Sequence, residues 1–318
     1  MPKRTFPADP SQEGERLDVF LSQRIKRLTR SQIQKKIEES LVKVNGIPRK
    51  SSYRLQEGDL VEFDFEYPEK ESLQPEDIPV KTLYHDEHVI VLEKPSGMTV
   101  HPGSGCRNKT LVNALLHHFP GIADIGPEMR PGIVHRLDKE TSGLMVAAHS
   151  LKAYDELRRQ FKQRLVEKFY VGLVWGNVSK QSGVIDWAVG RHVKHGERMS
   201  VKTKKPRAAE TRFQVLGKNQ KYTFLEIKPI TGRTHQIRVH FAASGHPIVG
   251  DPRYGKKKQD RRCPRLFLHA ARLVFFHPES KERMDFVSPL PDDLEMFLAM
   301  ETSLKAPLYL QKESKRDF

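Results

Sequence analysis

Pro131-Gly132-Ile133-Val134-His135-Arg136-Leu137-Asp138-Lys139-Glu140-Thr141-Ser142-Gly143-Leu144 sets a polar cluster between two apolar, strand-like runs. Strands fix a position and the loop between them exposes the group, which is where catalytic side chains are commonly held. Asp138 is the candidate carboxylate of this stretch, although an Asp or Thr in such a loop more often only caps a turn. Outward from it, strand-like runs fall at Val89–Leu92, Gly143–Ala148, Tyr170–Trp175, Thr211–Val215 and Tyr222–Ile227, with helical patterns at Leu111–Phe119 and Ser150–Arg164. Strands outnumber helices and do not alternate with them strictly. The pattern therefore predicts an α+β domain over residues 81–300, its mixed, mainly antiparallel central sheet flanked by helices, and not a doubly wound α/β fold.

Upstream lies a smaller α/β module, residues 14–67. Leu17, Phe20, Leu21 and Ile25 repeat at helical spacing, as do Ile33 and Ile37 after the capping-box pattern Ser31-Gln32-Ile33-Gln34. Leu41–Val44 leads into Asn45-Gly46, the preferred dipeptide of a tight hairpin turn, and Leu60–Phe65 alternates as a strand. The basic residues Arg16, Arg24, Lys26, Arg27, Arg30, Lys35, Lys36, Lys43, Arg49, Lys50 and Arg54 gather on the helices and turn, an arrangement suited to a phosphate backbone. Residues 68–80 contain three prolines and many charges and read as a linker; residues 301–318 read as a polar tail.

Across 318 residues, Lys and Arg outnumber Asp and Glu by 55 to 40, giving a net charge of +15. That excess suits a partner carrying phosphates but does not by itself separate RNA from DNA or an anionic membrane. No run approaches the roughly 20 apolar residues that span a bilayer, and the basic N-terminus lacks the apolar core of a signal peptide, so a cytoplasmic location is expected. The two cysteines, Cys106 and Cys263, lack metal-ligand or disulfide-scaffold spacing. His235 and His240 stand five apart instead of four, which argues against a metal site. The chain has no Gly-x-Ser-x-Gly elbow, Walker loop or GxGxxG, so hydrolase, nucleotide-hydrolysing and dinucleotide redox chemistry find no support.

Two further runs bear on Asp138. Lys94-Pro95-Ser96-Gly97 follows an apolar strand and reads as a turn leading into a site. Thr231-Gly232-Arg233-Thr234-His235-Gln236-Ile237-Arg238-Val239-His240 opens a helix, with Thr234 the expected N-cap and Gly245 and Pro247 closing it. The basic clusters Lys194–Arg212 and Lys256-Lys257-Lys258 with Arg261, Arg262 and Arg265 lie outside these runs and read as loops that contact the phosphate-bearing partner.

Taken together, His135-Arg136-Leu137-Asp138, Thr141-Ser142-Gly143-Leu144, Tyr170, Gly232–His240, Gly250-Asp251-Pro252-Arg253-Tyr254-Gly255 and Leu268-His269-Ala270 closely resemble the RluA-type pseudouridine synthases. Arg16-Leu17-Asp18, Thr29-Arg30-Ser31 and Val42–Gly46 resemble the S4-type RNA-binding domain. The combination is most similar to the two-domain members that modify large-subunit ribosomal RNA. This resemblance implies an isomerase that needs no cofactor and no metal, with Asp138 catalytic, Arg238 paired to it and Tyr170 packed on the uracil face. Arg136 would wedge into the RNA as the uridine is flipped out, Arg233 and His235 would contact RNA or substrate, and Arg30, Lys35, Lys36, Asn45 and Gly46 would face RNA from the S4-like module. Glu140, two residues from Asp138, is expected to aim elsewhere. Ribosomal RNA or a precursor ribosomal particle is the expected partner and a monomer the expected state. A non-catalytic RNA-binding or ribosome-assembly factor on the same fold stays open as the alternative.

Overall fold

Apolar residues recurring every three or four positions, then every two, build the N-terminal unit, Met1–Ser72, and a longer unit follows at Leu73–Phe318. The computed structural model describes residues 4–25, 28–64, 73–103, 106–193, 198–255 and 262–310. In the first unit the elements are β1 (Arg4–Pro7), α1 (Leu17–Arg24), α2 (Arg30–Glu38), β2 (Val42–Val44), β3 (Ile47–Pro48) and β4 (Leu60–Phe63). Leu17, Phe20, Leu21, Ile33 and Ile37 from the helices meet Val42, Val44, Val61 and Phe63 from the sheet in one buried cluster. Asn45 and Gly46 both take positive φ, 51° and 75°, as the two-residue hairpin between β2 and β3 requires.

Three details differ from the pattern read in the sequence. The sheet order is β1-β4-β2-β3, so a strand at residues 4–7, ahead of the expected module, belongs to it; Phe6 stacks on Phe63 at 5.5 Å. Arg4-Thr5-Phe6-Pro7 holds one large apolar residue and shows no alternation of its own. The capping box is formed by Thr29 and Gln32, with the Gln32 N–H donating to Thr29 Oγ1 at 3.3 Å and the Thr29 N–H donating to Gln32 Oε1 at 2.8 Å. Gln34, the expected partner of Ser31, instead donates to Asp18 Oδ2 at 2.6 Å. Lys26, Arg27, Phe65 and the first part of the expected linker, 68–72, lie outside the described residues.

The second unit runs β5 (Lys81–His85), β6 (Val89–Lys94), α3 (Leu111–His118), β7 (Ser142–Ala148), α4 (Leu151–Gln163), β8 (Glu167–Trp175), β9 (Ser182–Ile185), β10 (Gly190–Arg191), β11 (Met199–Ser200), β12 (Thr211–Lys218), β13 (Tyr222–Pro229), α5 (Gln236–Ala243), β14 (Leu268–Phe276), β15 (Arg283–Val287) and α6 (Asp292–Thr302). Among the described residues its large sheet has the order β5-β6-β7-β14-β8-β13-β12-β9, with β15 also paired to β14. Only β7 and β14 run parallel; every other pairing in this sheet is antiparallel. The α+β class and mixed, mainly antiparallel sheet are therefore what the chain adopts.

The parallel contact lies at the start of β7, directly after the loop that carries Asp138. β14 pairs β7 only at His269 and Ala270, is bulged between Ala270 and Arg272 on its β8 side, and takes β15 as neighbour from Arg272 onward. Gly143 makes the junction fit: a Cβ there would lie 2.3 Å from the Ala270 carbonyl oxygen, and its φ of +117° suits only glycine. Ala153, Tyr154, Leu157 and Gln160 form the buried face of α4, at the three- and four-residue spacing of an amphipathic helix. The expected polar tail is not wholly exposed, since Thr302, Ala306 and Leu310 are buried and Leu290 N–H donates to Leu310 O at 3.1 Å. Residues 311–318 lie outside the described residues. Among the described residues no helix is long and apolar enough to cross a membrane.

Candidate active site

α5 is buried along Gln236–Phe241, so its polar residues must find partners inside the protein. Gln236 meets this demand completely: its Nε2 donates to Glu210 O and Thr211 Oγ1, at 2.9 and 3.0 Å, and its Oε1 accepts from Thr231 Oγ1 and the Arg233 N–H, at 2.7 and 3.0 Å. These bonds tie the entry loop to β12. They also displace the expected cap, because the N-cap is His235, in the left-handed conformation with φ 54°, and not Thr234. One turn in, Arg238 is 1% exposed and points back into the loop that carries Asp138.

The Asp138 loop is fastened from behind by the turn after β6. Lys94 is buried, and its ammonium donates to the carbonyls of Pro95, Met98 and Lys139 at 2.7, 2.9 and 3.2 Å. Ser96 Oγ donates to Glu140 O at 2.7 Å and Gly97 N–H to Lys139 O at 2.8 Å. Burial pulls the Lys94 amine down to about 7, while the charges of Asp138 and Glu140 oppose the fall. His135, whose Nε2 accepts the Val146 N–H at 3.0 Å, is pushed down to about 3 by burial and the Lys168 charge. It is neutral and stacks on Phe161 at 4.7 Å, so it braces the loop and leaves Asp138 to face the cleft. Instead of lying between two regular strands, the loop is anchored before Asp138 by the single bridge Ile133–Ala147 and passes into β7 after it.

Asp138 Oδ2 accepts from Arg238 Nη1 at 3.2 Å. The stronger hold on Arg238 comes from Asp251, whose two oxygens accept from Nε and Nη2 at 2.8 and 2.9 Å. Asp251 also accepts the N–H groups of Arg253 and Tyr254, at 2.8 and 3.0 Å. Burial pushes the Asp251 carboxyl up, but the Arg238 bonds and charge and these backbone donors outweigh it and leave it below the ordinary range. Arg238 is raised, since Asp251 and then Asp138 outweigh its burial. Gly250 lets the chain reach this point: a Cβ there would lie 2.0 Å from Arg265 O. Glu140 is not aimed away; its Oε2 stands 3.6 Å from Arg238 Nη1, so one guanidinium faces three carboxylates. Asp251 stands in the run Gly250–Gly255 with nothing local to mark its role, which appears only when the helix and the loop 13 residues downstream fold together.

The cleft in front of these groups measures about 90 Å³, smaller than the roughly 300–1,000 Å³ of pockets for extended ligands, and is lined by Asp138, Lys168, Tyr170, His235, Ile237 and Leu268 among others. Tyr170 sits in mid-sheet, opposite Ile227 on β13 and Ala270 on β14. Burial and the Asp138 charge raise its hydroxyl far above the usual value, which keeps it neutral. Arg136 is exposed at the rim. Arg233 donates Nε to Ala208 O at 3.0 Å and is lowered by burial and by the charges of Arg207 and Arg164. Lys168 and Leu268 escaped the sequence reading as lining groups; Lys168 stands two residues before Tyr170 on the same strand face, which was the available signal. Among the described residues no group of three His, Cys, Asp or Glu could hold a metal ion.

In the first unit the expected RNA-facing residues fare differently. Lys35 is freely displayed, with 75% side-chain exposure and only a long contact to Glu39 at 3.9 Å. Lys36 pairs Glu39 at 2.8 Å. Arg30, half exposed, shares the fully buried Asp18 with Arg16, each at 3.0 Å, so the carboxylate holds two guanidiniums outward. Asn45 is engaged within the module, donating to Asp59 Oδ1 and accepting the Leu60 N–H, both at 2.8 Å, and Gly46 supplies the turn. Of the outlying basic clusters, Arg265 holds Asp293 with two bonds, at 2.6 and 3.0 Å, and Arg262 pairs Glu301 at 2.6 Å. Lys194, Lys256, Lys257, Lys258 and Arg261 lie outside the described residues.

Comparison with known proteins adds the following. The family described as RNA pseudouridylate synthase matches residues 88–243 and the S4 domain matches residues 15–61. An uncharacterised RNA pseudouridine synthase of Aquifex aeolicus is 45% identical over 290 residues, covering 88% of this chain and 92% of that protein. The ribosomal large subunit pseudouridine synthase D of Nitrosomonas europaea is 41% identical, covering 90% of this chain and 84% of that protein. Among solved structures, human RNA pseudouridylate synthase domain containing 1 superposes with a TM-score of 0.56 at 30% identity, covering 67% of this chain and 84% of that one.

Proposed function

The chain belongs to the RNA pseudouridylate synthase family, an isomerase family, and carries an S4 domain, and on that premise we propose that it converts uridines of large-subunit ribosomal RNA to pseudouridine with Asp138 as the carboxylate that acts on the ribose. The observation that carries the reading is the Arg238 guanidinium, held by Asp251 and presented at 3.2 Å to Asp138 on the wall of the cleft. The reaction breaks the N1–C1′ bond, turns the base and rejoins it through C5. Nothing is oxidised and no group is added, so one positioned carboxylate suffices and no cofactor is consumed. Asp138 either attacks C1′ or takes a proton from C2′, and Arg238 orients it for both.

The other residues take roles suited to their positions. Tyr170, fixed in mid-sheet with its ring on the cleft, packs against the uracil face. Arg136, exposed at the rim, fills the gap left as the uridine leaves its stack, an extrusion that costs a few kcal/mol. Arg233, crowded by Arg207 and Arg164, makes an anion welcome beside the cleft, which suits a phosphate. Lys35, Lys36 and Arg30 supply phosphate contacts from the S4 domain, with Asn45 and Gly46 shaping the turn beside them. Ribosomal RNA as substrate is supported by the name of the Nitrosomonas europaea relative.

Asp138→Asn tests the reading. Incubated with ribosomal RNA and mapped by carbodiimide-based primer extension, it is expected to bind RNA as the wild type does and to form no pseudouridine. Full activity in that variant would overturn the role of Asp138, and release of free uracil by the wild type would point to a hydrolase. A non-catalytic RNA-binding factor would show binding and no pseudouridine in either protein.

A further inference from the structure

His235 is placed with more care than a phosphate contact needs. It holds the strained left-handed conformation at the N-terminus of α5, φ 54°, which side-chain-bearing residues adopt rarely and mostly where function or packing demands it. Its Nδ1 lies 2.8 Å from the Tyr254 hydroxyl, and that oxygen already accepts the Met199 N–H at 3.0 Å. Its Nε2 faces Asp138 Oδ2 at 4.0 Å. A neutral imidazole carries one hydrogen, and the facing carboxylate favours that hydrogen on Nε2. Tyr254 then donates its O–H to Nδ1. A separation of 4.0 Å is too long for a hydrogen bond, so among the described residues Nε2–H has no partner. It opens into the cleft beside Asp138.

The ring is also kept uncharged. Burial lowers it most; Arg238 and Arg253 add to the fall, and Asp138 and Asp251 oppose it without prevailing. The positive end of α5 acts in the same direction as the arginines. A neutral ring has little to offer a phosphate next to Arg233 and Arg136. It has a directed donor to offer a carbonyl.

We infer that His235 is a neutral hydrogen-bond donor to a carbonyl oxygen of the uracil ring while that ring is detached, and that Tyr254 is the positioning residue that fixes its tautomer. This rests on the isomerase reading above. When the N1–C1′ bond breaks, its electron pair passes to the ring and spreads over N1 and the carbonyl oxygens. A fixed N–H at one of those oxygens stabilises that charge without giving up its proton. After rotation C5 bonds to C1′ as the C1′–oxygen bond to Asp138 breaks or, on the other route, as C2′ takes its proton back from Asp138. C5 then gives its proton to solvent and N1 takes one from solvent, so His235 ends as it began. An imidazolium in the same place would instead neutralise Asp138.

The test uses the full chain and a ribosomal RNA transcript under single-turnover conditions. His235→Leu is expected to lower the rate about 100-fold, with RNA affinity within about twofold of wild type. His235→Gln, which retains a side-chain N–H, should recover about tenfold of that loss. Tyr254→Phe leaves the His235 backbone untouched and removes the O–H that holds Nδ1 unprotonated. It should slow the reaction about tenfold and move the acid limb of the pH profile up toward the ordinary histidine value of about 6.5. A purely structural role would leave that limb where it was. An active wild type with His235→Leu within threefold of it, a Gln variant no better than Leu, or an unmoved acid limb in Tyr254→Phe overturns this inference alone. A wild type that makes no pseudouridine overturns the isomerase reading and this inference with it.

Discussion

Asp251→Asn strikes the site at the point where stability and catalysis meet. Asp251 accepts four hydrogen bonds, three of them on Oδ1: Arg238 Nη2, Arg253 N–H and Tyr254 N–H. An asparagine oxygen placed there keeps those three, but its amide NH2 then faces Arg238 Nε–H, which now donates to Oδ2 at 2.8 Å. One charge-assisted bond becomes a donor–donor contact, and a 1%-exposed guanidinium loses its principal counter-charge. Breaking a buried pair in this way costs about 3–5 kcal/mol. Asp138 and Glu140, at 3.2 and 3.6 Å from Nη1, still compensate part of the charge and favour the lower end, about 3 kcal/mol. Arg238 should then draw on Asp138 more strongly, making that carboxylate less available to the ribose, with a rate loss of about tenfold or more, equivalent to at least about 1.4 kcal/mol.

Urea unfolding followed by tryptophan fluorescence reads this directly, because both tryptophans, Trp175 and Trp187, lie in the second unit. The pH dependence adds a sign. The folded Asp251 carboxyl is held below its unfolded value of about 3.9. Its stabilisation is therefore complete above about pH 4, and it is lost as pH falls further because the unfolded chain takes up the proton first. The gap between wild type and Asp251→Asn should be widest at neutral pH and narrow below pH 4. A gap under about 1 kcal/mol at pH 7, or one that widens in acid, would refute the account of Arg238 as a guanidinium anchored by Asp251.

Two other outcomes follow from buried and exposed lysines. Lys94 is drawn down to about 7 in the folded chain against about 10.4 when unfolded, so between those values only the unfolded state holds the proton and wild-type stability rises with pH. Relative to Lys94→Met the wild type should gain up to about 1.4 kcal/mol per pH unit between pH 7.5 and 9; a flat difference in urea midpoint across that range would show that the ammonium is retained by its three carbonyls. Lys35→Ala should flatten the dependence of log affinity on log salt by about 0.9 while leaving the maximal rate unchanged; an unchanged slope in filter-binding titrations would remove Lys35 from the RNA contacts.

Periodicity made much of this protein legible. The apolar runs Val89–Leu92, Gly143–Ala148 and Tyr170–Trp175 and the helical pattern Ser150–Arg164 mark the strands Val89–Lys94, Ser142–Ala148 and Glu167–Trp175 and the helix Leu151–Gln163. β1 and the short pair β10 and β11 show no such pattern: their residues carry no apolar alternation, and pairing with their neighbours makes them strands. β14 shows in the sequence only as the motif Leu268-His269-Ala270, yet it joins three strands and, among the described residues, makes the one parallel contact of the large sheet. The expected caps at Ser31 and Thr234 gave way to Thr29 and His235 because Gln34 and Gln236 were claimed by distant partners, Asp18 and the β12 edge.

The sequence by itself determined the two-unit organisation, the α+β class and the basic charge excess, and its resemblance to a known family singled out Asp138, Tyr170 and Arg238 as the candidate site residues. The first three follow from local pattern and composition, which each segment carries within itself; the site residues rest on the resemblance. Only the tertiary structure decided that Arg238 belongs first to Asp251 and second to Asp138, that Glu140 shares it, and that Tyr254 holds His235 facing the same carboxylate. Partners such as Asp138 and Arg238, 100 residues apart, meet only when the sheet and α5 close around them. Burial then turns their mutual distances into charge and proton positions that no linear spacing encodes.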